Sequence, residues 1–98
     1  MKIIKEAVAG TLESSDLLVK VAPGVGNRLD VNIRSEVMRQ FGAQIRAVVD
    51  DTLAKLGVTE GDIAIDDKGA LDCAIRARLQ TAVLRAADAP TIDWEALR

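Results

Sequence analysis

The chain has 98 residues, 49% of them apolar and 29% charged, a mix that fits one globular domain over residues 1–98 and argues against extended disorder. Its net charge of −2 and its only two aromatics, Phe41 and Trp94, remove the electrostatic and stacking footing for nucleic acid. No apolar run approaches the roughly 18 residues of a membrane span, so neither nucleic acid nor a membrane is an expected partner.

The first six residues, Met1-Lys2-Ile3-Ile4-Lys5-Glu6, lack the apolar segment of a secretory signal, and the cytoplasm is the expected compartment. Residues 1–9 place Ile3, Ile4, Ala7 and Val8 among charges, compatible with an extra edge strand or a loose arm. Gly10 to Ser15 reads as a turn or extended loop, because small polar residues favour irregular backbone. Leu17–Ala22 alternates as a strand, with Leu17, Val19 and Val21 on one face. Pro23-Gly24-Val25-Gly26-Asn27 is a strong turn signal, and Leu29–Arg34 alternates again with Leu29, Val31 and Ile33 apolar. Two such runs around a turn predict a hairpin.

Ser35 is the expected N-cap of a first helix, with Glu36 in its first turn. Val37, Phe41, Ile45, Val48, Val49, Leu53 and Leu56 recur at spacings of three and four, the apolar stripe of a helix that Gly57 stops. Asp51 and Lys55 are spaced for an ion pair on it, and Gly42 implies close packing. Asp62–Asp66 is a short third strand, broken by Asp67-Lys68-Gly69. Leu71, Ile75, Leu79, Ala82, Val83 and Ala86 make a second helical stripe, ending near Ala87-Asp88 before Pro90, with Arg76, Arg78, Gln80 and Arg85 mostly on its other faces. The tail, Thr91 to Arg98, is either docked by Trp94 or frayed.

The order ββαβα predicts a two-layer α+β domain. A crossover from the second predicted strand through the helix to the third places the first in the middle. The expectation is a three-stranded antiparallel sheet of order 2-1-3 with both helices on one face.

Little in the chain is built for bond-making. The adjacent carboxylates Asp50-Asp51 and Asp66-Asp67 diverge rather than converge, so they read as solvated or capping groups. The absent histidine removes the commonest general base and zinc ligand, and no metal site is expected. Cys73 lies near a helix start without an evident base and reads as a small apolar packing residue; as a lone cysteine it fits a reducing compartment. Ser14 and Ser15 read, on their own, as loop or cap residues. As a substrate for modification a serine needs only exposure and a flank that another enzyme can grip.

Three stretches point further: Ala9-Gly10-Thr11-Leu12-Glu13-Ser14-Ser15-Asp16; Ser35-Glu36-Val37 with Gln40-Phe41-Gly42 and Ile45-Arg46; and Asp66-Asp67-Lys68-Gly69-Ala70-Leu71-Asp72-Cys73 followed by Arg76-Ala77-Arg78. Over about residues 2–88 the chain resembles the acyl carrier (gamma) subunits of citrate lyase. The resemblance implies a non-catalytic carrier whose Ser14 holds 2′-(5″-phosphoribosyl)-3′-dephospho-coenzyme A through a phosphodiester. It implies partners too: an attaching prosthetic-group transferase, an alpha subunit that exchanges acetyl for citrate on the arm, and a beta subunit that cleaves citryl to oxaloacetate and restores acetyl. Many relatives resemble Ser-Gly-Asp after the glutamate, where this chain has Ser15. The related carrier of malonate decarboxylase and an unmodified scaffold are the alternatives; the Thr-Leu-Glu and Asp-Lys-Gly-Ala-Leu-Asp-Cys stretches argue against the former. Glu13 and Asp16 are expected to hold an anionic arm off the surface or to meet a basic patch on the transferase. The stretch Asp67 to Cys73 is either a docking surface or simply the cap of the second helix.

Overall fold

The computed structural model describes residues 1–87. In chain order it contains β1 (Ala7–Gly10), β2 (Leu17–Ala22), β3 (Leu29–Ser35), α1 (Met38–Lys55), β4 (Gly61–Asp67) and α2 (Asp72–Ala87). The four strands form one sheet of order β1-β2-β4-β3. β1 pairs antiparallel with β2 and β2 antiparallel with β4, whereas β3 and β4 run parallel. The α+β class and the helix-covered face follow the sequence; the strand count, order and direction do not. Trp94 and the rest of the tail fall outside the described residues.

The expected hairpin between Leu17–Ala22 and Leu29–Arg34 does not form, because β4 lies between those strands. The connection, residues 23–28, steps over the start of β4 instead of turning tightly. Gly61 N–H donates to Arg28 O at 3.0 Å, and a Cβ on Gly24 would lie 3.0 Å from Gly61 N. Neighbouring strands sit about 5 Å apart, so a gap of about 10 Å is well within reach of six residues. Burial explains which strand takes the centre. Ile63 and Ile65 of β4 are fully covered, while Leu29, Val31 and Ile33 of β3 are only half-buried even on their inner face, as an edge strand requires. The helix crossover then makes β3 and β4 parallel neighbours.

Residues 7–10 supply the other edge. Before them Ile3 is buried, and the N–H groups of Ile4 and Lys5 both donate to Ala86 O, satisfying a carbonyl at the end of α2. The core is aliphatic. Leu17, Val19, Val21, Ile63 and Ile65 of the sheet meet Ile45, Val49 and Leu53 of α1 and Ile75, Leu79 and Val83 of α2. Full burial of each such side chain contributes about 1.5–3 kcal/mol. The opposite face of the sheet carries Lys20, Asn32, Arg34, Asp62 and Ala64 and is exposed.

Two helix details depart from expectation. Ser35 is not an N-cap; it closes β3, and Val37 occupies the cap position without a side-chain bond. Ser35 Oγ accepts from Val37 N–H at 3.1 Å and donates to Asp67 Oδ2 at 2.7 Å, so its hydroxyl ties β3 to β4. Phe41, counted in the apolar stripe, is 48% exposed. Gly42 is crowded by its own helix, since an added Cβ would lie 2.6 Å from Met38 Sδ. The end of α1 matches expectation: Gly57 N–H bonds to Ala54 O and Val58 N–H to Leu53 O, the paired bonds of a Schellman stop. Lys55 pairs with Asp51 at 3.2 Å. Among the described residues no helix is long and apolar enough to cross a membrane.

Candidate functional site

The loop between β1 and β2, residues 11–16, is the hairpin of this molecule. Its base is closed by Thr11 N–H to Leu17 O at 3.1 Å. Gly10 makes that closure possible. Its φ is +92°, and a Cβ there would stand 1.9 Å from Leu17 O, so any side chain collides with the strand it must pair with.

Inside the loop one carboxylate gathers the polar groups. Asp16 Oδ2 accepts from Thr11 Oγ–H at 2.7 Å, and Asp16 Oδ1 accepts from Leu17 N–H at 2.8 Å. Arg78 reaches over from α2 and donates to both oxygens, Nε to Oδ1 at 3.1 Å and Nη2 to Oδ2 at 3.0 Å. This two-pronged geometry is the one a guanidinium favours. Arg78 foremost, then Thr11 and the Leu17 N–H, lower the Asp16 pKa to about 2. Thr11 Oγ also accepts from Glu13 N–H at 3.2 Å, and Asp16 N–H donates to Glu13 O at 3.1 Å.

The far flank is held by backbone. Ser15 N–H donates to Lys68 O, and Lys68 N–H donates to Asp16 O, both at 2.8 Å. Lys68 is presented by Asp67, which is 1% exposed and whose carboxylate accepts from Ser35 Oγ–H, Gly69 N–H and Ala70 N–H. Asp67 therefore folds the turn after β4, from which the serine loop is gripped. Ser15 itself is left-handed, with φ +65°. A left-handed non-glycine residue is strained, and this accounts for a position where a glycine fits well.

Ser14 lies between these two anchors. It is exposed and makes no hydrogen bond within the described residues. A serine hydroxyl presented to solvent on a fixed mount is what attachment of a covalent arm needs, and the residues present fit such a group. Glu13 is also exposed. Asp16 is not available for repulsion or for a partner's basic patch, because Arg78 and Thr11 occupy it. Sequence reasoning missed Arg78 as part of the site; its only signal was membership of the Arg76-Ala77-Arg78 stretch. Arg76 goes elsewhere, to Asp51 at 2.8 Å, and with Lys55 lowers the Asp51 pKa.

Beside the clasp runs an apolar groove of about 550 Å³ between the start of α1 and residues 69–73, with Phe41, Ile45, Ala70 and Leu71 among its walls. Gln44 Nε2 spans it to Asp72 at 3.2 Å. Leu71 is 74% exposed. Cys73 is exposed as well, so it is not the packing residue expected.

Comparison with known proteins agrees with this architecture. Residues 4–86 match the acyl carrier family model described as malonate decarboxylase delta subunit (MdcD). The chain is 79% identical to the citrate lyase acyl carrier protein of Albidiferax ferrireducens over 98 residues, all of both chains. It is 68% identical to that of Pectobacterium carotovorum over 97 residues, 99% of this chain and 100% of the relative, and 62% identical to that of Cronobacter sakazakii over the whole of both. A chain in the crystal structure of a Pseudomonas malonate decarboxylase hetero-tetramer in complex with malonate shares the fold, with a TM-score of 0.76 over 86% of each chain at 21% identity. Full-length identity at this level shows that the chain belongs to the citrate lyase acyl carrier family, as a carrier subunit of that lyase.

Proposed function

We propose that Ser14 is the attachment residue of this carrier and that the group it holds is 2′-(5″-phosphoribosyl)-3′-dephospho-coenzyme A. The observation that carries the reading is local: the exposed Ser14 stands between Thr11, tied to the Asp16 carboxylate that Arg78 holds, and Ser15, tied to Lys68 O. In the attachment step Ser14 Oγ forms the bond to phosphorus. Its proton passes to a base of the transferase, and a phosphate leaving group departs from an activated donor with the electron pair. When bound, the group supplies a terminal thiol on which an acyl unit can be held as a thioester.

The chain's own residues perform no bond-making in citrate cleavage, which belongs to the alpha and beta subunits of the complex. No histidine is present, and the Asp16 carboxylate is held ionised by its partners rather than poised as an acid. What the chain contributes is tethering. An acyl unit on a mounted arm meets two active sites at high effective concentration without dissociating. The chain acts as a single carrier domain in the cytoplasm.

The test is intact mass and peptide mapping of the protein co-expressed with its operon. A coenzyme-A-like addition is expected on the peptide that contains Ser14, lost in Ser14→Ala and kept in Ser15→Ala. An unmodified mass with active attachment enzymes would leave a scaffold. The malonate decarboxylase carrier reading, which the family model and the shared fold bring forward, predicts reconstitution with decarboxylase subunits instead of citrate lyase subunits.

A further inference from the structure

We infer that Arg78 is a positioning residue for modification: it fixes the serine loop in the one conformation the attaching transferase can accept. The inference rests on the reading of Ser14 as the attachment site. Arg78 is 62 residues from Asp16 in sequence and sits beside the buried stripe Ile75–Leu79–Ala82 of α2, so its stem starts from a fixed point. Gly10 leaves it room, since a Cβ there would lie 3.3 Å from Arg78 Cδ. The guanidinium then meets a carboxylate that also holds Thr11 Oγ and Leu17 N–H. One side chain thereby links the helix layer to both ends of the loop. The Lys68 clasp fixes only Ser15 and Asp16. Without Arg78 nothing from the helix layer holds the Thr11 side, and residues 12–14 gain conformations in which Ser14 points elsewhere.

The consequence is kinetic. If the competent fraction of free carrier falls about tenfold, apparent affinity falls by the same factor, while the bound complex still reacts. Arg78→Gln and Asp16→Asn are each expected to raise the transferase KM for the carrier about tenfold, with kcat within about twofold. Because the two groups act as one unit, the double variant falls no further than the worse single variant. Arg78→Lys restores only part of the loss, because an ammonium cannot bridge both oxygens. Amide exchange at Ser15 and Leu17 should quicken in each variant, while that of Ile63 and Leu79 stays unchanged.

The measurement uses the unmodified full-length carrier, its native transferase and the coenzyme-A-derived donor, followed by intact mass with time. Wild-type KM and loop exchange in Arg78→Gln would overturn the inference, with Ser14 still standing as the site. A loss in Arg78→Gln absent from Asp16→Asn would also overturn it, since Arg78 would then touch the transferase or donor directly. Failure of wild-type carrier to be modified at Ser14 sinks the underlying reading instead. Should Arg78→Gln not fold, Asp16→Asn with the exchange readout decides alone: unchanged exchange and KM reject the inference, and changes in both support it.

Discussion

Two segments of this molecule both read as turns in the sequence and behave differently. Residues 23–28 carry a proline and two glycines, residues 10–16 one glycine and a run of hydroxyl and acidic side chains. The first has the stronger turn signature, yet it only steps over β4. Its side chains do little, and Val25 is 80% exposed. The second forms the true hairpin and is fixed by side chains from its own length and by Arg78 and Lys68 from other elements. Backbone permissiveness lets a chain cross a gap. Presentation of a reactive group requires acceptors inside the loop and donors outside it, and Asp16 is the acceptor here.

Glycine substitution should break the comparison most sharply. Gly10→Ala puts a Cβ 1.9 Å from Leu17 O at φ +92° and should cost about 3 kcal/mol or more in denaturant unfolding. Gly26→Ala, at φ +70° with nothing within 4 Å, should cost only about 1 kcal/mol. Equal costs would mean that the serine loop is no more tightly specified than the crossing. Asp67→Ala comes next. It removes the acceptor for Ser35, Gly69 and Ala70 in a buried position and should destabilise by about 2–4 kcal/mol. Because the turn that carries Lys68 loosens with it, exchange at Ser15 should rise more than exchange in residues 23–28.

The sequence carried the two helical stripes apart from the exposed Phe41 and Leu71, the glycine stop at Gly57 and the inward faces of three strands, because periodicity reports burial directly. Strand order was not legible. Alternation in Leu17–Ala22 and Leu29–Arg34 says which face is inside, not which strand is adjacent, and the full burial of Ile63 and Ile65 is a tertiary fact. β1 was not legible, because its four residues end on Gly10 and carry no distinctive period. At the site, resemblance singles out Ser14, the proposed attachment residue, whereas the contacts that hold its loop were not legible. The Arg78–Asp16 contact joins residues far apart in sequence, and nothing local to Arg78 distinguishes it from Arg76 or Arg85.

Acid should separate the loops as well. The folded Asp16 pKa of about 2 lies below the usual value of about 3.9, so the stability it brings is complete above the ordinary carboxylate range. That stability is lost progressively as pH falls from the ordinary carboxylate range through about 2. Carboxyl NMR should find the Asp16 midpoint there, moving up toward the ordinary range in Arg78→Gln. Residues 23–28 contain no carboxylate and should show no comparable change. A midpoint that ignores Arg78 would mean the pair is not formed in solution.

The smallest effect belongs to Ser15. Its left-handed backbone carries a strain of about 1–2 kcal/mol that glycine lacks, while glycine loses more chain entropy on folding, by roughly 0.5–1 kcal/mol. Ser15→Gly should therefore stabilise slightly, by about 0.5 kcal/mol, visible as a shift in the denaturant midpoint without a change in slope. The Ser15 N–H bond to Lys68 O is retained, since it involves only backbone. Modification of Ser14 should proceed at the wild-type rate, because the anchors on either side are untouched. Destabilisation, or slower modification, would show that the Ser15 hydroxyl has a role of its own, beside the Thr11–Asp16–Arg78 cluster and the Lys68 backbone that hold the loop.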